Sequence, residues 1–297
     1  MSSAIAGSSG GTRRQARRGL TIYFAVVVML SASIESFIIK RPDIDGPFIV
    51  GLMFVPAIAS IVARLVLKEG FSDVSFRFGG RHTWRAIGLA LIFPTVVGLT
   101  AYGIAWTTGL VRFSSDGSSP IVVLLIGIIL ATTLWTALSS LVTAGEEIGW
   151  RGYMLTRLID SKVSRPVLVS GLIWGLWHVP LVLAEVYAAG PSPALSAAFI
   201  MVSIISFGYV IARLRLETGS IWPAIILHSS WNSIIQGPFD GATTGAGAAV
   251  WVGESGILTA LTLVVVAVVF SRGRWAILRQ PPNPSVAVSL PTSTITG

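Results

Sequence analysis

Three short runs in this chain combine residues able to do chemistry: Glu146-Glu147-Ile148-Gly149-Trp150-Arg151, Trp174-Gly175-Leu176-Trp177-His178 and His228-Ser229-Ser230-Trp231-Asn232. Each lies in or at the end of a stretch apolar enough to sit in lipid. An ionisable group there is costly, so it marks function by default. The chain has three histidines, and two fall in these runs. Helical spacing sorts their roles. Glu147 and Arg151 are four apart with the acid first, the better order for a pair. Glu146 is rotated about 100° from Glu147 on a helix. It has no cation one turn away, and a carboxylate so placed suits proton transfer. His228 and Asn232 share a helix face. Trp174 stands one turn before His178, and Pro180 loosens the helix just after it. One carboxylate, two imidazoles and one carboxamide can carry out hydrolysis: the carboxylate takes a proton from water, and an imidazole and an amide donate to a developing oxyanion. Glu146, His178 and His228 can equally hold one zinc ion with a fourth position open to water. Taken singly, a Glu–Arg pair, an intramembrane His and an Asn are each ordinary links between helices. Their joint occurrence on three helices argues for one shared site.

The elements that must position these runs are membrane helices. The chain has 297 residues, 53% hydrophobic and 11% charged, against about 25% charged in a soluble domain. With a mean hydropathy of +0.78, so little charge cannot cover a water-facing surface. Apolar segments long enough to span a bilayer run near 20–39, 47–67, 86–110, 120–144, 166–187, 193–213, 219–236 and 255–271, the fourth continuing helically past Tyr153. The expected fold is therefore an all-α, polytopic bundle of about eight transmembrane helices over 20–279. A polar, basic N-terminus (1–19) precedes it and a disordered tail (280–297) follows. Sixteen Lys and Arg fall on one side of these segments and only Lys40, Arg41 and Arg112 on the other. By the positive-inside rule both termini are then cytoplasmic. Arg64 reads as a charge snorkelling at a helix end. The segment Phe71 to Trp84 reads either as an interfacial amphipathic piece or as a plain loop. Counted from the cytoplasmic ends, His178 lies roughly 18 Å deep and His228 roughly 13 Å. The three runs are thus expected to meet in the cytoplasmic half. The net charge of +8 sits between apolar runs, with no basic stripe interleaved with aromatics, so no nucleic-acid partner is expected. The absence of cysteine excludes disulfides and thiolate metal sites.

At these runs the sequence resembles the CAAX-protease and bacteriocin-processing (Abi) family of intramembrane proteases. The family pattern is Glu-Glu-x-x-x-Arg, then Phe-x-x-x-His, then His-x-x-x-Asn/Asp, on separate membrane helices. Its matches here are Glu146, Glu147 and Arg151, then His178, then His228 and Asn232. Arg151-Gly152-Tyr153 and Thr218-Gly219-Ser220-Ile221-Trp222-Pro223 fit the flanking text, so the resemblance covers about 143–235. One departure is Trp174, where the family usually has Phe. The resemblance implies peptide-bond hydrolysis within the membrane. Glu146 is implied as the general base activating water, His178 as assisting proton transfer, His228 and Asn232 as the oxyanion-stabilising pair, and Glu147 and Arg151 as supporting residues. It implies a membrane protein or peptide as substrate, the bilayer as surroundings, and a prokaryotic plasma membrane as the setting. Zinc dependence and oligomeric state do not follow from it. Two other readings stand beside the protease. One is a non-catalytic scaffold or immunity protein of the same fold. The other is a transporter using the same groups as a relay, for which the chain lacks paired halves.

Overall fold

In a computed structural model that describes residues 2–41, 45–114, 119–190 and 192–272, the chain is a helical bundle. Helices α1 (Ser2–Lys40), α2 (Asp45–Leu67) and α3 (Arg81–Thr107) occupy the first three expected spans. The first begins well before the apolar run. The fourth span is one helical rod, Pro120–Asp160, of 41 residues. It is built from α4 (Pro120–Leu130), α5 (Thr136–Gly149) and α6 (Leu155–Asp160), joined by π turns at Ala131–Trp135 and Trp150–Met154. Helices α7 (Pro166–Leu183) and α8 (Pro193–Thr218) follow, then α9 (Trp222–Ile234), extended by a third π turn at Ile235–Phe239. The short α10 (Ala248–Trp251) and the final α11 (Ile257–Arg272) complete the described chain. Helix thus occurs in all eight expected segments. Six of the helices are long and apolar enough to cross a membrane, and α11, with 16 residues, is apolar but shorter. The 280–297 tail lies outside the described residues.

The bundle has a lipid-like exterior and a core of small and aromatic residues. Ile121, Val122, Leu125, Ile126 and Ile129 of α4 are exposed, as befits a helix solvated by hydrocarbon. Within the bundle α5 packs on α2 and α9, α7 on α8, and α3 on α9. Close approach of α5 to α2 depends on Gly145 and Gly149, four apart on the face that meets Met53 to Pro56. A Cβ at either would collide with that backbone, which is how small residues let membrane helices touch.

Two sets of contacts define the two ends of the bundle. At one end Arg157 Nη2 meets Glu69 at 2.7 Å and Nη1 meets Asp73 at 2.9 Å. Arg215 donates to the Asp73 carbonyl at 2.7 Å, and the Ile221 amide donates to Ser75 at 3.0 Å. Arg64 belongs to this end, but it does not snorkel: it is fully buried and paired with Asp73 at 2.6 Å. The acid that holds it comes from the α2–α3 connection, distant enough that helix position alone could not reveal the pairing. That connection is a 3-10 turn at Ser72–Val74 and then irregular chain, not an amphipathic helix. Phe71, Phe76 and Phe78 are exposed along it, as is Trp84 in the first turn of α3. At the other end Arg112 and Phe113 pair antiparallel with Thr244 and Thr243 in a two-residue ribbon, and Tyr102 donates to Asp240 at 2.5 Å.

Candidate active site

The four helices α5, α7, α8 and α9 bring the three sequence runs together around one side chain, Trp174. Its indole N–H donates to Glu146 Oε2 at 2.9 Å. Its ring lies under the Arg151 guanidinium at 4.0 Å, a cation–π contact. Both imidazoles stand edge-on to it, His228 at 5.2 Å and His178 at 5.6 Å between ring centroids. Space for this stack comes from Gly208 on α8, where a Cβ would stand 3.3 Å from Arg151 Nη2 and 3.4 Å from the Trp174 ring.

The two adjacent glutamates take different partners, as their angular separation on α5 requires. Glu147 Oε1 accepts from Arg151 Nη1 at 2.8 Å and from His228 Nδ1 at 2.9 Å, with all three side chains buried. The Glu147–Arg151 pair expected from i,i+4 spacing is therefore present, and His228 is a third member that only the packing of α9 on α5 supplies. Glu146 has indoles for partners: besides Trp174, Trp150 Nε1 donates to the same Oε2 at 3.3 Å. Trp150 is four residues after Glu146, so this bond was visible in the spacing. The π turn Trp150–Met154 carries Arg151 and widens the helix immediately after the acids, a feature frequent at functional sites.

His178 Nδ1 lies 2.8 Å from the Trp174 carbonyl oxygen. A carbonyl only accepts, so Nδ1 carries the hydrogen and a neutral ring leaves Nε2 as an acceptor. His228 meets a carboxylate at Nδ1, so that nitrogen donates as well. Along their helices His178 sits five residues before Leu183 and His228 six after Trp222.

His178, His228 and Asn232 line a small chamber of about 30 Å³ with Trp174, Phe207 and Trp231. That is room for about two waters. Glu146 stands one layer behind, bonded to the Trp174 that forms the wall. Asn232 also borders an apolar groove of about 700 Å³ between the first and third π turns, lined by Leu130, Trp135, Leu138 and Pro238. Three polar chamber residues were not singled out from sequence: Tyr187 on the α7–α8 connection, Ser203 on α8 and Glu254 on the α10–α11 connection. Glu254 accepts from Trp231 Nε1 at 2.7 Å, and no motif surrounds it to signal a role. Among the described residues no three His, Asp or Glu side chains gather as a metal centre. Glu146 Oε2 faces two indoles and His228 Nδ1 faces Glu147, which leaves Glu146 Oε1 and the Nε2 atoms of both histidines as the atoms that could hold a metal.

Residues 128–234 match the family model described as Type II CAAX prenyl endopeptidase Rce1-like. The match encloses all six candidate residues and bears out the resemblance drawn from their motifs. No curated protein matches the chain. The matched segment is thus similar to endopeptidases of that type over residues 128–234. In this segment Trp174 takes on a role that the phenylalanine usual in the motif cannot, since only an indole donates a hydrogen bond to Glu146.

Proposed function

We propose that this chain is an intramembrane endopeptidase in which Glu146 activates water and His228 and Asn232 stabilise the oxyanion. The observation that carries the reading is the gathering of both imidazoles and the carboxamide on one chamber, with Glu146 joined to its wall through Trp174. Both indole bonds go to Oε2, so Oε1 is the oxygen left to meet water. Oε1 takes the proton as the water oxygen attacks the peptide carbonyl. His178, with Nε2 as an acceptor, relays a proton between Glu146 and the departing amine. His228, held at Nδ1 by the Glu147 carboxylate, donates to the oxyanion from Nε2 when its ring is protonated. The Asn232 amide is the second donor. Arg151 offsets the charge of Glu147 and holds the face of Trp174.

The test is cleavage of a library of membrane-associated peptides by the purified chain in lipid, wild type beside Glu146→Gln. Cleavage by the wild type and none by the folded variant supports the reading. Equal cleavage by both removes Glu146 as the base. The position of Glu146 behind the chamber wall favours a second reading, a non-catalytic scaffold of the same fold, and that reading expects no cleavage by either protein.

A further inference from the structure

The family motifs build one wall of the chamber, and the opposite wall comes from residues outside them. A space for about two waters cannot admit a peptide group, so hydrolysis there requires a wall to open. Most of the lining consists of buried side chains on packed helices. Four lining residues are partly exposed, His178, Asn232, Tyr187 and Glu254, and of these only Tyr187 and Glu254 sit on connections between helices. The Tyr187 hydroxyl donates to Glu254, and the Tyr187 ring lies 5.7 Å from that of His178. On either side of Tyr187 the backbone is left-handed at non-glycine residues, Glu185 (φ 61°) and Ala188 (φ 47°), a conformation that costs energy. The two connections hold each other through Ser255 Oγ and the Ala188 carbonyl, 2.9 Å apart. Such segments open more readily than packed helices.

Behind this pair lies a second cavity of about 350 Å³ whose lining includes the polar residues Gln236, Asp240 and Thr243. It shares with the chamber only Tyr187 and Glu254. Its lining carries two carboxylates and neither lysine nor arginine. Inside the chamber, Ser203 Oγ has no hydrogen-bond partner although the residue is 3% exposed, which marks the chamber as built for a polar occupant.

We propose that Tyr187 and Glu254 are the polar door of the site and set its specificity. Water and the hydrophilic part of the substrate pass between them, and neutral or cationic segments are admitted over anionic ones. This rests on the reading of the chamber as a hydrolytic site, and the test separates the two. Because the chain has no cysteine, Ser203→Cys places a single thiol in the chamber. Leu263→Cys on α11 serves as a second reporter, with melting curves to show that both fold. In lipid nanodiscs the thiol is labelled with small water-soluble thiosulfonates, one cationic and one anionic. The cationic reagent is expected to react about tenfold faster, the scale on which charged clefts concentrate counter-ions. Adding Glu254→Gln should bring the two rates toward equality, and adding Tyr187→Phe should raise both several-fold. Filling the apolar groove with Leu138→Trp should change neither. Rates indifferent to both door substitutions, or slowed only by Leu138→Trp, would overturn the proposal in favour of entry past Asn232. Door-controlled labelling in a protein that cleaves no peptide would sink the hydrolase reading alone. Cleavage that persists while labelling ignores the door would sink the door alone.

Discussion

Replacing Glu147 by Gln keeps the shape of the side chain and removes its charge at a point where two donors converge. Arg151 is 1% exposed and holds Glu147 Oε1 at 2.8 Å, while His228 reaches the same oxygen at 2.9 Å. Breaking a buried ion pair from one side leaves an uncompensated charge and costs about 3–5 kcal/mol. Two features reduce that here. The Gln carbonyl can still accept from one donor, and Arg151 keeps its contact with the Trp174 face at 4.0 Å. The expected loss is therefore near the lower end, about 3 kcal/mol, which for a chain of this size lowers the melting temperature by roughly 5–10 °C. Arg151→Met in the same background removes the orphaned cation and should restore at least half of the loss, with a coupling of about 1 kcal/mol or more between the two sites. Peptide cleavage should not return, since His228 has then lost the carboxylate at Nδ1. Melting of the detergent-solubilised single and double variants, beside their cleavage rates, checks this. A Glu147→Gln protein that melts with the wild type would refute the pair as a structural element. A double variant less stable than the single one would refute the account of the orphaned charge.

Glu146→Gln should abolish cleavage at a stability cost of only about 1 kcal/mol, because its amide oxygen still accepts an indole N–H; melting and cleavage measured together show whether the two effects separate. Trp174→Phe keeps a ring beside both imidazoles but removes the donor to Glu146 Oε2, a hydrogen bond to a charged group. Cleavage should fall about tenfold or more with the fold retained, whereas an unchanged rate would mean that bond is idle. Arg157→Ala strips Glu69 and Asp73 of the cation they share at 2.7 and 2.9 Å. Limited proteolysis should then find the 68–75 connection opened, and continued resistance would count against its role as a clamp. Burial pushes the Asp240 carboxyl up to about 6 from its ordinary 3.8, against the hydrogen bond from Tyr102 and with the help of nearby Glu254. The folded state thus holds that proton to higher pH than the unfolded chain. Its contribution, up to about 3 kcal/mol, is complete below about pH 4 and is lost as pH rises through about 6. The melting temperature should fall across that window, and Asp240→Asn should flatten the fall.

Sequence alone determined what depends on composition and on neighbours along one helix. Low charge and long apolar runs require lipid and therefore helices, since no other open structure satisfies the backbone there. Spacing of four placed Glu147 against Arg151, set Glu146 apart from both, and put His228 with Asn232 on one face. The motif order pointed to the family that residues 128–234 match. Tertiary structure decided what depends on which helix faces which. His228 meets Glu147 because α9 packs on α5, a contact 81 residues apart in sequence. Arg64 is buried because Asp73 returns across the bundle end to meet it. Ser203 and Glu254 join the chamber from α8 and from the connection after α10, and neither carries a local pattern to announce it. Position along a helix likewise could not fix depth in the bundle, because helices of unequal length overlap with an offset: His178 is near the end of α7 while His228 is near the start of α9. Side-chain periodicity reports the direction in which a residue points, and only packing supplies what stands there to receive it.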